Sequence, residues 1–136
     1  MFFKKEELKN NNFRTKVCAL LIHAAKIDEN YTDKEEEIIK KTLNQLGAEH
    51  DNISETIKEA KIIEESSNQI LDFTKEVKNL PEQDKIKIIE SLWSIIYSNK
   101  EADIYETNLM RRLAGLLYID NKIMGDIKNK IKNENL

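Results

Sequence analysis

One pattern occurs twice in this chain, and the repeat restricts the fold more than any other sequence feature. The first copy, Ile27–Ile39, reads IDENYTDKEEEII, an oxygen-rich turn followed directly by a helix with apolar residues at helical spacing. The second copy begins at Asn99, 71 positions after Asp28 (99 − 28). Such a repeat predicts two similar units that pack on each other. The same offset relates Tyr31 to Ala102, Thr32 to Asp103, Glu35 to Glu106, Ile38 to Leu109, Ile39 to Met110, and Lys40-Lys41 to Arg111-Arg112.

Apolar residues recur every three or four positions along the chain, and no useful length alternates with the period of two typical of a strand. With 136 residues, 40% of them apolar, the chain can bury one core without disulfides. We therefore predict an all-α single domain of about seven helices, built from a duplicated unit of buried helix, acidic turn and amphipathic helix. Residues 13–132 form this domain, and residues 1–12 are an N-terminal segment that is flexible or docks on the core.

Helix boundaries follow from local signals. Thr32 and Glu35 have the spacing of a capping box, which predicts a second helix that begins at Asp33 and ends at Gly47. The first helix, from Phe13 to Ile27, and the fifth should be buried on most sides. The other predicted elements are a third helix over 54–65, a fourth from Ile70 to near Leu80, a fifth with Pro81 as its first residue, a sixth after Asp103, and a seventh capped by Asp120 or Asn121.

Charge and composition exclude several functions. The net charge is −3 with Lys and Arg balanced by acids, whereas nucleic-acid binding needs clustered, uncompensated cations. Cys18, the single cysteine, lies in the apolar run VCALLIHAA and is expected to be a buried, reduced thiol of a cytosolic protein. That run is too short to cross a bilayer and precedes no cleavage pattern, so we expect no export or transmembrane segment.

The acidic turns are candidate cation sites. Hard cations such as Ca²⁺ take six to eight oxygen ligands, and Asp28, Asn30 and Thr32 occupy alternating positions as in a calcium loop. The turn is not an EF-hand, because Asp33 and Ile39 stand where that motif needs glycine and glutamate. A site would have to be shared between the two turns. Its candidate ligands are Asp28, Glu35, Asn99 and Glu106, with Asp103 as a further one.

A purely structural interpretation accounts for the same residues. Thr32 and Asp103 can be N-caps, Glu35 and Glu106 can complete capping boxes, and Asp28 and Asn99 can form turn hydrogen bonds. This interpretation explains the spacing without a metal. The sequence leaves both open.

The basic pairs differ in their local partners. Lys40 and Lys41 follow Glu36 and Glu37 at the favourable helical spacing, whereas Arg111 and Arg112 have Thr107 and Asn108 at that spacing. Arg111 and Arg112 are therefore candidates to bind the acidic cluster or a partner's carboxylate or phosphate. Catalysis by paired carboxylates is a less favoured alternative, since no nucleophile, phosphate loop or histidine pair accompanies them.

The residues also resemble a known family. IDENYTDKEEEII is similar to the motif of TerB-like proteins, named for tellurite resistance, in which an Asp-Gly turn precedes Ser or Thr and then Glu. The later segment LPEQDKIKIIESLWSIIYSNKEADIYETNLMRRLAGLLYI resembles the bacterial TerB-like branch in its Pro-Glu turn, Leu-Trp, second acidic turn, Tyr-Glu and Arg-Arg. The resemblance extends from about Val17 to Lys130.

The resemblance implies a compact helical module without established catalysis, linked to stress and metal-resistance systems. It implies protein partners, some of them membrane-associated, and a cytoplasmic location that includes the inner membrane face. It also implies a divalent cation, Ca²⁺ first, at Asp28, Glu35 and Glu106. The chain departs from the family pattern where Glu29 and Lys100 replace the turn glycines and Asn99 replaces an aspartate.

Overall fold

The computed structural model describes the backbone of residues 2–27, 32–47, 50–66, 71–75, 77–98 and 104–134, with side chains from Phe13 onward except those of residues 50, 51 and 71. Every regular element in these ranges is helical, which confirms the predicted all-α class. The elements are α1 (Phe2–Ala25), α2 (Asp33–Gln45), α3 (His50–Ser66), α4 (Leu71–Thr74), a 3₁₀ turn (Val77–Asn79), α5 (Glu82–Tyr97), α6 (Ile104–Leu116) and α7 (Asn121–Glu134).

Helix α1 is the centre of the fold, as its wide apolar arc predicts. From Val17 to Ile22 every side chain is at most 1% exposed, and the helix contacts α2, α3, α4 and α5. It begins at Phe2 and not near Phe13, because the intervening lysines, glutamates and leucine are good helix formers. The buried part of α1 therefore supplies the surface on which the other helices pack.

Helix α2 begins and ends where the sequence predicts. It starts at Asp33 behind the N-cap Thr32, and Gly47 follows its C-terminus with a φ of +92°, a conformation that favours glycine. The Arg14 Nε–H donates to the Leu46 carbonyl at 3.3 Å, which satisfies one of the terminal carbonyls of α2 from α1. Both ends of α2 are thus fixed in position.

The predicted fourth helix is wrong as a single element. Helix α4 ends at Thr74, and Val77–Asn79 form a separate 3₁₀ turn, closed by the Leu80 N–H donating to the Val77 carbonyl at 3.1 Å. Pro81 disfavours helical backbone at Leu80, so the 3₁₀ turn ends before α5 begins. Phe73 and Val77 are nevertheless both buried. Ile70 lies outside the described residues.

Helix α5 is the second buried helix, and it begins one residue later than predicted. Pro81 has a ψ of 146°, so it is the N-cap and Glu82 is the first helical residue. The stretch from Ile88 to Tyr97 is buried apart from half-buried Glu90 and Ser94. In the interface with α2, Thr42 Oγ1 and Ser91 Oγ lie 2.5 Å apart in a buried hydrogen bond.

Helices α2 and α6 occupy equivalent positions in the repeat. Asp33–Gln45 shifted by 71 positions gives 104–116, the observed bounds of α6. The shift also relates the four buried residues of α2, Glu35, Ile39, Thr42 and Leu43, to four of the five in α6, Glu106, Met110, Leu113 and Ala114. The fifth, Leu109, corresponds to half-buried Ile38. Helix α7 follows, with the Asp120 carboxylate accepting from the Lys122 N–H at 3.0 Å, and it packs on α5.

Candidate functional site

Glu35 is a buried acid in the first turn of α2. Its side chain is 1% exposed, and its Oε1 accepts from the Thr32 N–H at 3.1 Å and from the Thr32 hydroxyl at 2.9 Å. The Glu35 N–H donates back to Thr32 Oγ1 at 3.3 Å. The structural interpretation of this pair as a capping box is therefore confirmed. The same geometry holds a carboxylate beside the end of the first acidic turn.

Glu106 lies at the equivalent position of α6 and is 5% exposed. The pKa of the Tyr97 phenol is raised, first by burial and second by the negative charge of Glu106. Glu106 is therefore close enough to the C-terminal end of α5 to act on Tyr97 electrostatically. Glu35 and Glu106 are thus both buried acids in the first turn of a helix, 71 positions apart in the sequence, and together they define the candidate site.

The starts of α2 and of the second acidic turn are neighbours. Lys34 Nζ, in the first turn of α2, lies 3.5 Å from the Ser98 carbonyl at the end of α5, at the long limit of a hydrogen bond. Helix α2 also packs along α5. This contact places the first turn of α2 beside the end of α5.

Three of the candidate ligands lie outside the described residues: Asp28, Asn99 and Asp103. Within the described part of the chain, no group of three or more His, Cys, Asp or Glu side chains could hold a metal ion. Glu35 and Glu106 are thus the candidate ligands whose positions are known. The remaining oxygens of a shared site would have to come from the turns.

Another buried acid, Glu64, has a structural role. Its oxygens accept from Lys26 Nζ at 2.7 Å and lie 3.4 Å from His23 Nδ1, which joins α3 to α1. The pKa of Lys26 is raised, chiefly by its hydrogen bond to Glu64. The His23 ring therefore contacts Glu64 and is part of the interface between α1 and α3.

Arg111 and Arg112 are both exposed on α6. Neither has a hydrogen bond or ion pair with the residues that the structure describes. Arg111 lines a groove between α5, α6 and α7, whereas Arg112 does not. Sequence reasoning missed this groove, because its other members, among them Trp93 and Lys128, come from three helices and read individually as core or solvated residues. Trp93, the single tryptophan of the chain, lies four residues before Tyr97 on a buried helix and is the one signal that could have indicated the groove.

The helices of the described chain include none long and apolar enough to cross a membrane.

The fold and the site together define an all-helical module. It has two buried helices, and each is followed, at the same offset, by an amphipathic helix with a buried glutamate in its first turn. The family model described as "Tellurite resistance protein TerB" matches residues 14–129, and the chain belongs to this family. Comparison with curated proteins gave no match, and comparison with solved structures gave none either.

Proposed function

We propose that this TerB-family chain is a non-enzymatic module of a stress or tellurite-resistance system in which the two acidic turns bind one divalent cation. The observation that carries the proposal is the pair of buried carboxylates, Glu35 and Glu106, at equivalent positions of α2 and α6. Asp28 and Asn99, with Asp103 as a further ligand, would complete the site from the turns. Ca²⁺ is the preferred ion because the donor set contains only oxygen.

Capping and cation binding are compatible at Glu35. A carboxylate has two oxygens with about four lone-pair sites, so the capping box at Oε1 and a cation can share one side chain. The capping box also fixes the rotamer of Glu35, which preorganises it as a ligand. A cation bound to both turns would link the start of α2 to the start of α6 and thereby join the two halves of the repeat.

Thermal unfolding with and without ions tests this function. Metal-stripped protein is heated in EDTA and in Ca²⁺, Mg²⁺, Mn²⁺ or Zn²⁺, beside the double variant Asp28→Ala, Glu106→Ala. An ion at 100 times its Kd stabilises the native state by about 2.7 kcal/mol, so the wild-type midpoint should rise and that of the variant should not. Glu64→Gln is the matched control, because it alters a buried acid outside the proposed site.

A metal-free protein-interaction module is the second candidate function. It is favoured by adjacent apolar side chains at the start of α6, Ile104 and Tyr105, which are 69% and 72% exposed. A tandem of exposed apolar residues beside an acidic turn suits contact with a protein partner. Unchanged midpoints for all four ions up to millimolar concentration would refute the cation site and leave this second function.

A further inference from the structure

A groove between α5, α6 and α7 carries two positive charges and no acid. Its volume is about 460 Å³, and none of the residues that line it is acidic. The lining includes the apolar side chains of Trp93, Met110 and Met124, together with Arg111 and Lys128. The groove therefore has a mixed polar and apolar lining with two cations, in a chain whose net charge is −3.

The two cations come from different helices, and neither is neutralised by an ion pair with the described residues. Arg111 lies on α6 and is exposed, and Lys128 lies on α7 and is half-buried. Neither forms an ion pair or hydrogen bond with the described residues, whereas nearby Lys130 lies 3.7 Å from Glu90. The Lys128 ammonium is 5.5 Å from the centroid of the Trp93 ring. An anion in the groove could contact Arg111 and Lys128 together without displacing an existing ion pair of either.

Trp93 lies at the bottom of the groove, and its indole N–H is a buried hydrogen-bond donor. The side chain is 2% exposed and stacks on Tyr97 at a centroid distance of 5.8 Å. Its Nε1–H is buried and has no acceptor among the described residues. An indole N–H can only donate, and a buried donor without an acceptor costs free energy. Trp93 is therefore part of the buried floor of the groove.

We propose that this groove binds an acidic segment of a protein partner in which a carboxylate neighbours an apolar side chain. The carboxylate lies between Arg111 and Lys128, and the apolar side chain enters the groove above the buried side chains of Met110, Met124 and Trp93. Methionine side chains adapt to irregular shapes, and Trp and Arg are the residues that most often dominate binding energy at interfaces. The site uses none of the candidate cation ligands, so it goes beyond the proposed function.

The charge pattern favours a peptide over other anions. Nucleic acid would need a longer series of uncompensated cations to follow its phosphates, and this groove has two. A free inorganic anion would leave the apolar part of the groove unfilled. A peptide with one carboxylate and one apolar side chain satisfies both parts of the lining.

Selection from a random peptide display library tests the proposal. The full chain is the target, and the Arg111→Gln chain serves for counter-selection. Enriched peptides should contain Asp or Glu beside a large apolar residue. Failure to enrich any peptide, or enrichment of peptides without an acid, would overturn the proposal.

A synthetic copy of the enriched peptide, free of Trp, then measures the site directly. Trp93 is the only tryptophan of the chain, so its fluorescence reports occupancy of the groove. Arg111→Gln and Lys128→Gln should each weaken binding about ten-fold, as expected for loss of a charge-assisted contact. Arg112→Gln is the matched control, since Arg112 is the next residue, is exposed and lies outside the lining. Thermal midpoints equal to wild type establish that the variants are folded.

Two further arms separate the competing outcomes. Equal affinity of all variants would overturn the groove assignment. Phosphatidylglycerol vesicles that change Trp93 fluorescence in an Arg111-dependent manner, when no peptide does so, would identify a lipid surface and also overturn it. Titrations repeated in EDTA keep the proposals distinguishable, because peptide binding that persists there supports the groove even if the cation site fails.

Discussion

Because Cys18 is buried, ionisation of its thiol in the unfolded chain should lower the free energy of unfolding in mildly alkaline solution. The side chain lies in α1 with no exposed surface, and burial raises the pKa of the thiol from 9.0 to about 12. Lys61 acts in the opposite direction, but burial is the larger effect. In the unfolded chain the thiol ionises near its ordinary pKa, so the unfolded state releases a proton that the folded state retains.

The sign and size of the effect follow from proton linkage. Because the folded pKa is raised, the contribution of the thiol to stability is fully present below pH 9 and is lost as the pH rises from 9 toward 12. Between pH 7 and pH 10 the free energy of unfolding should fall by about 1.4 kcal/mol from this group alone. That is a large part of the stability of a typical domain of this size.

Urea unfolding at pH 7 and pH 10, in reducing buffer, measures the effect against Cys18→Ala. The alanine variant lacks the thiol but keeps every tyrosine and lysine, so the difference between the two proteins isolates Cys18. Its smaller side chain lowers stability at both pH values and does not enter the pH-dependent difference. If the two proteins lose equal stability between pH 7 and pH 10, the assigned burial of Cys18 in α1 is wrong.

Two further predictions concern single positions. Gly47→Ala should lower the free energy of unfolding by about 1 kcal/mol or more, because the φ is +92° and an added Cβ would lie 3.1 Å from the Arg14 guanidinium. Gly125 lies in α7, and a Cβ added there meets nothing within 4 Å, so Gly125→Ala should raise the free energy of unfolding by about 0.5–1 kcal/mol. Urea unfolding measures both variants, and a change of the same sign in the two would contradict the assigned backbone. Glu106→Gln should lower the pKa of Tyr97 by removing a negative charge that raises it, and NMR titration of ¹³C-labelled tyrosine would show no change if Glu106 were elsewhere.

The sequence predicts the helices best where periodicity and local caps agree. Thr32, Glu35 and Gly47 form contacts within a few residues of the chain, so both ends of α2 could be predicted correctly. The burial of α1 and α5 followed from apolar arcs too wide for a surface helix. These are properties of single segments, and they need no knowledge of the packing.

The predicted helix boundaries were wrong where the backbone conformation depends on neighbouring elements or on helix propensity alone. Phe73 and Val77 have helical spacing, but they belong to two short elements, α4 and the 3₁₀ turn. The N-terminal extension of α1 lacks apolar periodicity, so only helix propensity indicated it. Pro81 suits both the N-cap and the first helical position, and its ψ decides between them.

The candidate site was predictable in part. The offset of 71 identified Glu35 and Glu106 together, and both are buried at equivalent positions. Their spacing alone could not separate capping from cation binding, because both use the same carboxylates. The groove was not predictable, since Arg111 and Lys128 are 17 positions apart (128 − 111) in different helices and only the packing of α7 on α5 defines its walls.

Calorimetric titration with Ca²⁺ tests whether the two turns share the proposed cation site. Metal-stripped wild type, Glu35→Gln, Glu106→Gln and the control Glu64→Gln are titrated under the same conditions. One ion per chain should bind with a Kd in the micromolar range, typical of sensor sites, and this binding should be retained in Glu64→Gln and lost in each of the other two variants. Absence of binding heat up to millimolar ion, or binding that survives either Glu35→Gln or Glu106→Gln, would rule out the shared site.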